Sequence, residues 1–281
     1  MVQMRIHILH TGEVCVAPDL PFGGEHCNLL KASGLTTKKK NRLWLPVSAY
    51  LIEHPQGRIL VDCGWHRAMS PTGELDKKAQ IKALGSRLLY AVNQGKLELG
   101  DSVDEQLRQR GIKPAELEYV LLTHLDCDHA NGLMQVAEAK HILVARDELR
   151  CARRNGLIRY QKQWWEHADV TAFDWKDHEG PAGKSYDLFG DGSIQLINIP
   201  GHSDGLFAVK VVNTKGQYVL LYSDGGYAAK SWQEMILPGI ALDKVKQRQS
   251  LEWIREQSLD KNCVISIANH DPAVAPQVIG L

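Results

Sequence analysis

Thr123-His124-Leu125-Asp126-Cys127-Asp128-His129-Ala130-Asn131-Gly132 sets two imidazoles and two carboxylates inside six residues, His124 to His129. The apolar run Tyr119-Val120-Leu121-Leu122 before it reads as a buried strand, and Gly132-Leu133-Met134 opens a stretch of helical periodicity. The cluster therefore sits where a strand hands over to a helix. There, alternate side chains can point into one cavity, and the free N–H groups of a helix start suit an anion. A lone His-Asp pair is more often a cap beside a solvated imidazole. Four such groups crowded together repel and desolvate one another unless a cation joins them, so the metal reading outweighs the bland one.

Other apolar runs end the same way. Ile194 to Ile199 runs into Pro200-Gly201-His202, Tyr218 to Tyr222 into Ser223-Asp224-Gly225, and Cys263 to Ile267 into Ala268-Asn269-His270. Any one of these residues could be structural; the recurrence carries the argument. Ligands of open α/β sheets gather at the carboxyl ends of strands, which would bring these distant residues together. Arg58 to Asp62 follows a turn at Pro55-Gln56-Gly57 and also ends in an acid, Asp62, a candidate anchor near the site.

The rest of the chain reads as alternating strands and helices. Arg5 to Val16 and Leu43 to Ile52 read as strands, as do His141 to Val144 and Phe207 to Val212. Helical spacing marks Glu74 to Asn93, Asp147 to His167 and Leu242 to Gln257; Ser102 and Glu105 form a capping-box pattern ahead of Arg110. Pro18 to Arg42 reads as an extended loop or hairpin insertion whose Lys38-Lys39-Lys40 run is a solvated tip. Trp164 and Trp165 cannot both face one core from a helix, so one is expected to line a pocket.

The 281 residues, with 33 basic and 33 acidic side chains, suffice for a single domain over 1–281 with a large core. The balanced charge gives no support for a nucleic-acid or anionic-membrane partner, and no apolar run reaches transmembrane length. The six cysteines lack close pairing, and the first ten residues lack the core of a signal peptide, which together point to a cytoplasmic protein. A homodimer is left open.

The chain resembles the metallo-β-lactamase superfamily, which carries H-x-H-x-D-H after a core strand, a later P-G-H turn, an Asp at a strand end and a His near the C-terminus. The resemblance implies an α/β four-layer αβ/βα sandwich with two mixed sheets facing each other. It implies two divalent metal ions: one held by His124, Asp126 and His202, the other by Asp128, His129 and His270, with Asp224 between them. Among the branches, the chain is most similar to the N-acyl-homoserine lactonases, which place a Tyr three residues after the bridging Asp, here Tyr227. That implies ring opening of a lactone or ester by a metal-bridging hydroxide, with Tyr227 donating to the oxyanion and Asp128 carrying the proton. The second His of the motif is Asp126 here. A carboxylate at that position shifts preference from Zn toward Fe or Mn and makes the site more neutral. The competing readings are a glyoxalase-II-like thioesterase or phosphodiesterase on the same scaffold, a di-iron redox protein, and a non-catalytic metal-binding or RNA-associated protein.

Overall fold

A computed structural model describes residues 4–156 and 158–281. Its strands in chain order are β1 (Arg5–Val16), β2 (Leu43–His54), β3 (Gly57–Val61), β4 (Gln94–Lys96), β5 (Leu117–Leu122), β6 (His141–Ala145) and β7 (Val170–Phe173). Then come β8 (Ser185–Asp187), β9 (Ile194–Asn198), β10 (Phe207–Val212), β11 (Tyr218–Leu221), β12 (Cys263–Ile267) and β13 (Val278–Gly280). One sheet runs β13-β1-β2-β3-β5-β6-β7, with β4 on β1; the other runs β12-β11-β10-β9-β8. Both are mixed. In the first, β1, β2 and β3 pair antiparallel and β3, β5, β6 and β7 pair parallel. In the second, β12 lies parallel to β11 while the remaining pairs are antiparallel.

The layering follows from the period-two alternation of the strands. Ile6 and Ile8 of β1, Leu121 of β5, Val209 of β10, and Val219 and Leu221 of β11 share one cluster between the sheets. Leu9 and Val14 of β1, with Val120 and Leu122 of β5, point the other way, against Leu84, Leu89, Val103 and Leu107. Tyr218 and Leu220 of β11 face Leu251 and Ile254 of the helix Lys244–Leu259. Each fully buried Leu or Ile contributes about 1.5–3 kcal/mol. Helix, sheet, sheet, helix is the expected four-layer sandwich.

Several helices differ from their sequence reading. Glu74 to Asn93 is two helices, Lys77–Leu84 and Arg87–Val92, because Gly85 ends the first in a left-handed conformation (φ 71°) and the Ser86 hydroxyl caps the second. The helix in Asp147 to His167 spans only Arg146–Asn155 and stops at Gly156; Trp164 lies in a separate turn of 3₁₀ helix. Pro18 to Arg42 is neither an extended loop nor a hairpin. It folds as two short helices, Asp19–Phe22 and Leu29–Ala32, the second capped by Asn28, followed by a 3₁₀ turn at Lys39–Asn41. The helical stretch after Gly132 shrinks to one turn at Cys127–Ala130 and a 3₁₀ turn at Asn131–Gln135. Strands β4, β7, β8 and β13 are three or four residues long and too short to show a period.

Candidate metal centre

The residues singled out at the strand ends converge. His124, Asp126, Asp128 and His129 follow β5. His202 follows β9, Asp224 follows β11, and His270 follows β12. Their ligand atoms form three overlapping groups, each within 4.8 Å: His124, Asp126 and His202; Asp128, His129 and His270; and His124, His129 and Asp224. Asp224 lies between the outer two groups. Its Oδ1 is 3.3 Å from Nε2 of both His129 and His270, and its Oδ2 is 3.6 Å from Nε2 of His202 and 4.0 Å from that of His124. Asp128 Oδ2 is 3.4 Å from His270 Nε2.

Three of the four histidines are held by their outer nitrogens, while His202 Nδ1 is buried without a partner and its Nε2 lies 2.9 Å from Asp126 Oδ2. His129 Nδ1 lies 2.8 Å from Asp62 Oδ2, and His270 Nδ1 donates to the Pro46 carbonyl at 2.8 Å. His124 Nδ1 is 3.0 Å from Thr123 Oγ1. Committing Nδ1 outward leaves Nε2 as the inward lone pair, the tautomer a metal ligand needs. Asp62 also accepts from the Thr123 backbone N–H at 2.8 Å and from its hydroxyl at 2.9 Å, so it is the anchor suggested by its strand end. Asp62 (φ 59°) and Ser223 (φ 46°) both sit in the left-handed region without being glycine, a strain that here falls beside the site. The Pro200-Gly201-His202 turn needs its glycine: φ is 137°, and a Cβ there would overlap the backbone of Gln247.

A test of fit is the state of the inward atoms. His124 Nε2, His129 Nε2, His270 Nε2 and Asp224 Oδ1 are buried and have no hydrogen-bond partner. Buried polar atoms are normally paired, and four converging orphans in one cavity are explained by cations. The donor set of imidazoles and carboxylates suits divalent first-row metals.

The charges are tightly linked. Burial works to raise the Asp224 carboxyl, but His270 and His129 beside it hold it well below the usual range. Burial likewise opposes ionisation of Asp126, and the Arg159 guanidinium outweighs it. Burial lowers His202, helped by the charge of Arg159. The Tyr227 phenol is pushed well above its ordinary value by burial and then by Asp224, so it stays protonated. Its ring stacks on His270, with centroids 5.2 Å apart and planes at 20°.

Two contributors were not visible in the sequence. Arg159 donates to both oxygens of Asp126 and to the His202 carbonyl. Glu148, buried in the helix Arg146–Asn155, accepts from Leu125 N (3.1 Å), Ser203 Oγ (2.6 Å) and Gly205 N (3.2 Å), tying the His124 loop to the His202 loop. The Trp pair divides: Trp164 is sealed in the core with its N–H on the Ala83 carbonyl, and Trp165 lines a groove beside Leu149 and Tyr160. All six cysteines are free, and no helix among the described residues is long and apolar enough to cross a membrane.

Comparison with known proteins agrees with this arrangement. The family model of the metallo-beta-lactamase superfamily matches residues 42–216. The N-acyl homoserine lactonase AttM of Rhizobium johnstonii is 30% identical over 240 residues, covering 82% of this chain and 83% of its own. AttM of Agrobacterium fabrum is 28% identical over 238 residues, 81% of this chain and 82% of its own. Among solved structures, an N-acyl homoserine lactone hydrolase with N-hexanoyl-L-homoserine bound at its catalytic metal centre matches with a TM-score of 0.74 at 21% identity, covering 97% of this chain and 95% of that one. AidC, a dizinc quorum-quenching lactonase, matches with a TM-score of 0.63 at 12% identity, covering 99% and 94%. The strand-end motifs, the two facing mixed sheets and these matches agree: the chain belongs to the metallo-beta-lactamase superfamily.

Proposed function

We propose that this enzyme is a dinuclear metal-dependent hydrolase that opens the ring of an N-acyl homoserine lactone. The observation that carries the reading is the placement of Asp224, whose two oxygens face two separate groups of ligands. His124, Asp126 and His202 would hold one divalent cation and Asp128, His129 and His270 the other, with Asp224 shared. The oxygen donor of Asp126 favours Fe or Mn over Zn at the first position. When bound, such a pair supplies an activated water and polarises the carbonyl to be attacked.

The chain's own residues do the rest. Tyr227, kept protonated and stacked over His270, can donate a hydrogen bond to the oxyanion as it develops. Asp128 has a side chain 13% exposed, more open than the 3% of Asp224, and can take a proton from the attacking water and hand it to the leaving alkoxide. Two of the relatives, both N-acyl homoserine lactonases, favour a lactone over a thioester or phosphodiester.

The test is a panel of N-acyl homoserine lactones of graded acyl length, a glutathione thioester and a phosphodiester, given to metal-replete wild type and Asp224→Ala. Lactone opening that falls at least about a hundredfold in the variant is expected. Preference for the thioester or phosphodiester, or equal rates in the two proteins, overturns the reading.

A further inference from the structure

We infer that Arg159 is a positioning residue that lets Asp126 stand in for an imidazole, guanidinium and carboxylate acting together as one neutral ligand. The inference rests on the dinuclear reading above. Arg159 Nε donates to Asp126 Oδ1 at 2.6 Å and Nη2 donates to Oδ2 at 2.8 Å, a planar fork that fixes the rotation of the carboxylate. Nη1 donates to the His202 carbonyl at 2.9 Å, so the same guanidinium ties together the two loops that bring Asp126 and His202 to the site. Its carbon lies 5.1 Å from the Tyr160 ring centroid, which braces it from the other side. The Arg159 and Asp126 side chains are only 19% and 16% exposed.

The geometry leaves Asp126 free to act inward. A carboxylate offers about four lone-pair sites, and the fork engages one on each oxygen. Oδ2 still faces His202 Nε2 at 2.9 Å and His124 Nε2 at 3.5 Å, the side on which a shared cation would sit. An aspartate is shorter than a histidine, so its loop and rotamer must be held; Arg159 does this from behind.

The charge follows the same logic. Asp126, Asp128 and Asp224 are three acids at the centre, one more than a motif with histidine at position 126 would have. Arg159 cancels the addition. The excess neutralisation expected from Asp126 alone therefore does not arise, and the donor type, oxygen in place of nitrogen, is the remaining difference. A histidine at 126 would then be the wrong partner for this chain, because it would leave the guanidinium without the carboxylate that its fork engages, beside a divalent cation.

Zinc affinity decides the matter, measured on metal-stripped protein by competition with a chromophoric chelator. The proteins are wild type, Asp126→His, Arg159→Gln and the double variant. Wild type is expected to take two ions, and Asp126→His to keep one and bind the other at least about tenfold more weakly. The double variant is expected to return to within about threefold of wild type, a coupling that a mere loop staple would not produce. Asp126→His binding both ions as tightly as wild type, or a double variant no tighter than Asp126→His, overturns the inference alone. Wild type taking fewer than two ions whether zinc or Mn(II) is offered overturns the dinuclear reading and the inference with it. If the histidine variant does not fold, Asp126→Asn with and without Arg159→Gln makes the same comparison in a side chain of the same shape.

Discussion

His129 Nδ1 lies 2.8 Å from Asp62 Oδ2, with both side chains sealed from solvent. The contact sets which ring nitrogen carries the proton and so aims the Nε2 lone pair at the centre. Asp62 is itself held in a left-handed backbone conformation and fixed by both the amide and the hydroxyl of Thr123. The carboxylate therefore acts on the metal centre through His129 rather than by touching it.

Asp62→Asn tests this relationship. An amide of the same shape can keep the Thr123 contact but no longer supplies a charged acceptor to His129. Affinity for the cation held by His129 is expected to fall about 10- to 100-fold, the usual effect of losing an outer partner of a ligating histidine. Metal competition on the purified variant reads it out; affinity equal to wild type would show that Asp62 serves the turn alone.

Tyr227→Phe separates binding from chemistry. The ring and its stacking on His270 remain, and only the hydroxyl is lost. Removal of one donor aimed at a developing oxyanion is expected to lower kcat about a hundredfold, with KM and metal content little changed. If kcat is unaltered, the phenol only packs against His270.

The seven candidate ligands were legible in the sequence because four crowd the segment after one apolar strand run and the other three each follow the end of another, and strand alternation reports the fold without knowledge of contacts. Helix limits were less legible. Gly85-Ser86 is a stop and a start placed back to back, and the spacing of Ile81, Leu84, Leu88 and Leu89 runs through it unbroken. Arg159 and Glu148 could not be found that way. Arg159 is 33 residues from Asp126, and Glu148 is 23 from Leu125, both in a segment crowded with other charges. Their importance comes from what the fold brings near them, which no local pattern records. The Asp126 substitution was visible, but its compensation was not.

Glu148→Ala should expose how much the fold depends on one hidden carboxylate. Burial raises its pKa, yet it accepts from two backbone amides and a serine hydroxyl. Truncation leaves those donors buried without partners, at a cost of roughly 3 kcal/mol. Urea unfolding of metal-free protein would measure it. Because Glu148 joins the loops of His124 and His202, the cation they share should also bind more weakly, while the cation of His129 and His270 should not. A loss of stability with both affinities intact would confine Glu148 to a purely architectural role.

Glu105 gives a prediction in pH. Its carboxylate accepts from Arg67 Nη2 at 2.6 Å, Arg67 Nε at 3.0 Å, Gly100 N at 3.0 Å and Ser102 N at 3.2 Å. Burial works to raise its pKa, but the hydrogen bonds from Arg67 and Ser102 and the Arg67 charge win, and it falls below the usual glutamate value. A carboxylate depressed by folding contributes stability above its unfolded pKa and loses it as pH falls through the folded one. Glu105→Gln is therefore expected to destabilise metal-free protein by about 1 kcal/mol at pH 7, a figure kept small because the group is partly solvent-screened. The gap between variant and wild type should begin to close as pH drops below the ordinary glutamate range and vanish once the wild-type carboxylate is protonated in the folded state as well. Urea unfolding of both proteins along a pH series measures that gap directly. A gap that stays constant down the series would mean that the Arg67 contact holds through shape and hydrogen bonding alone, with no contribution from its charge.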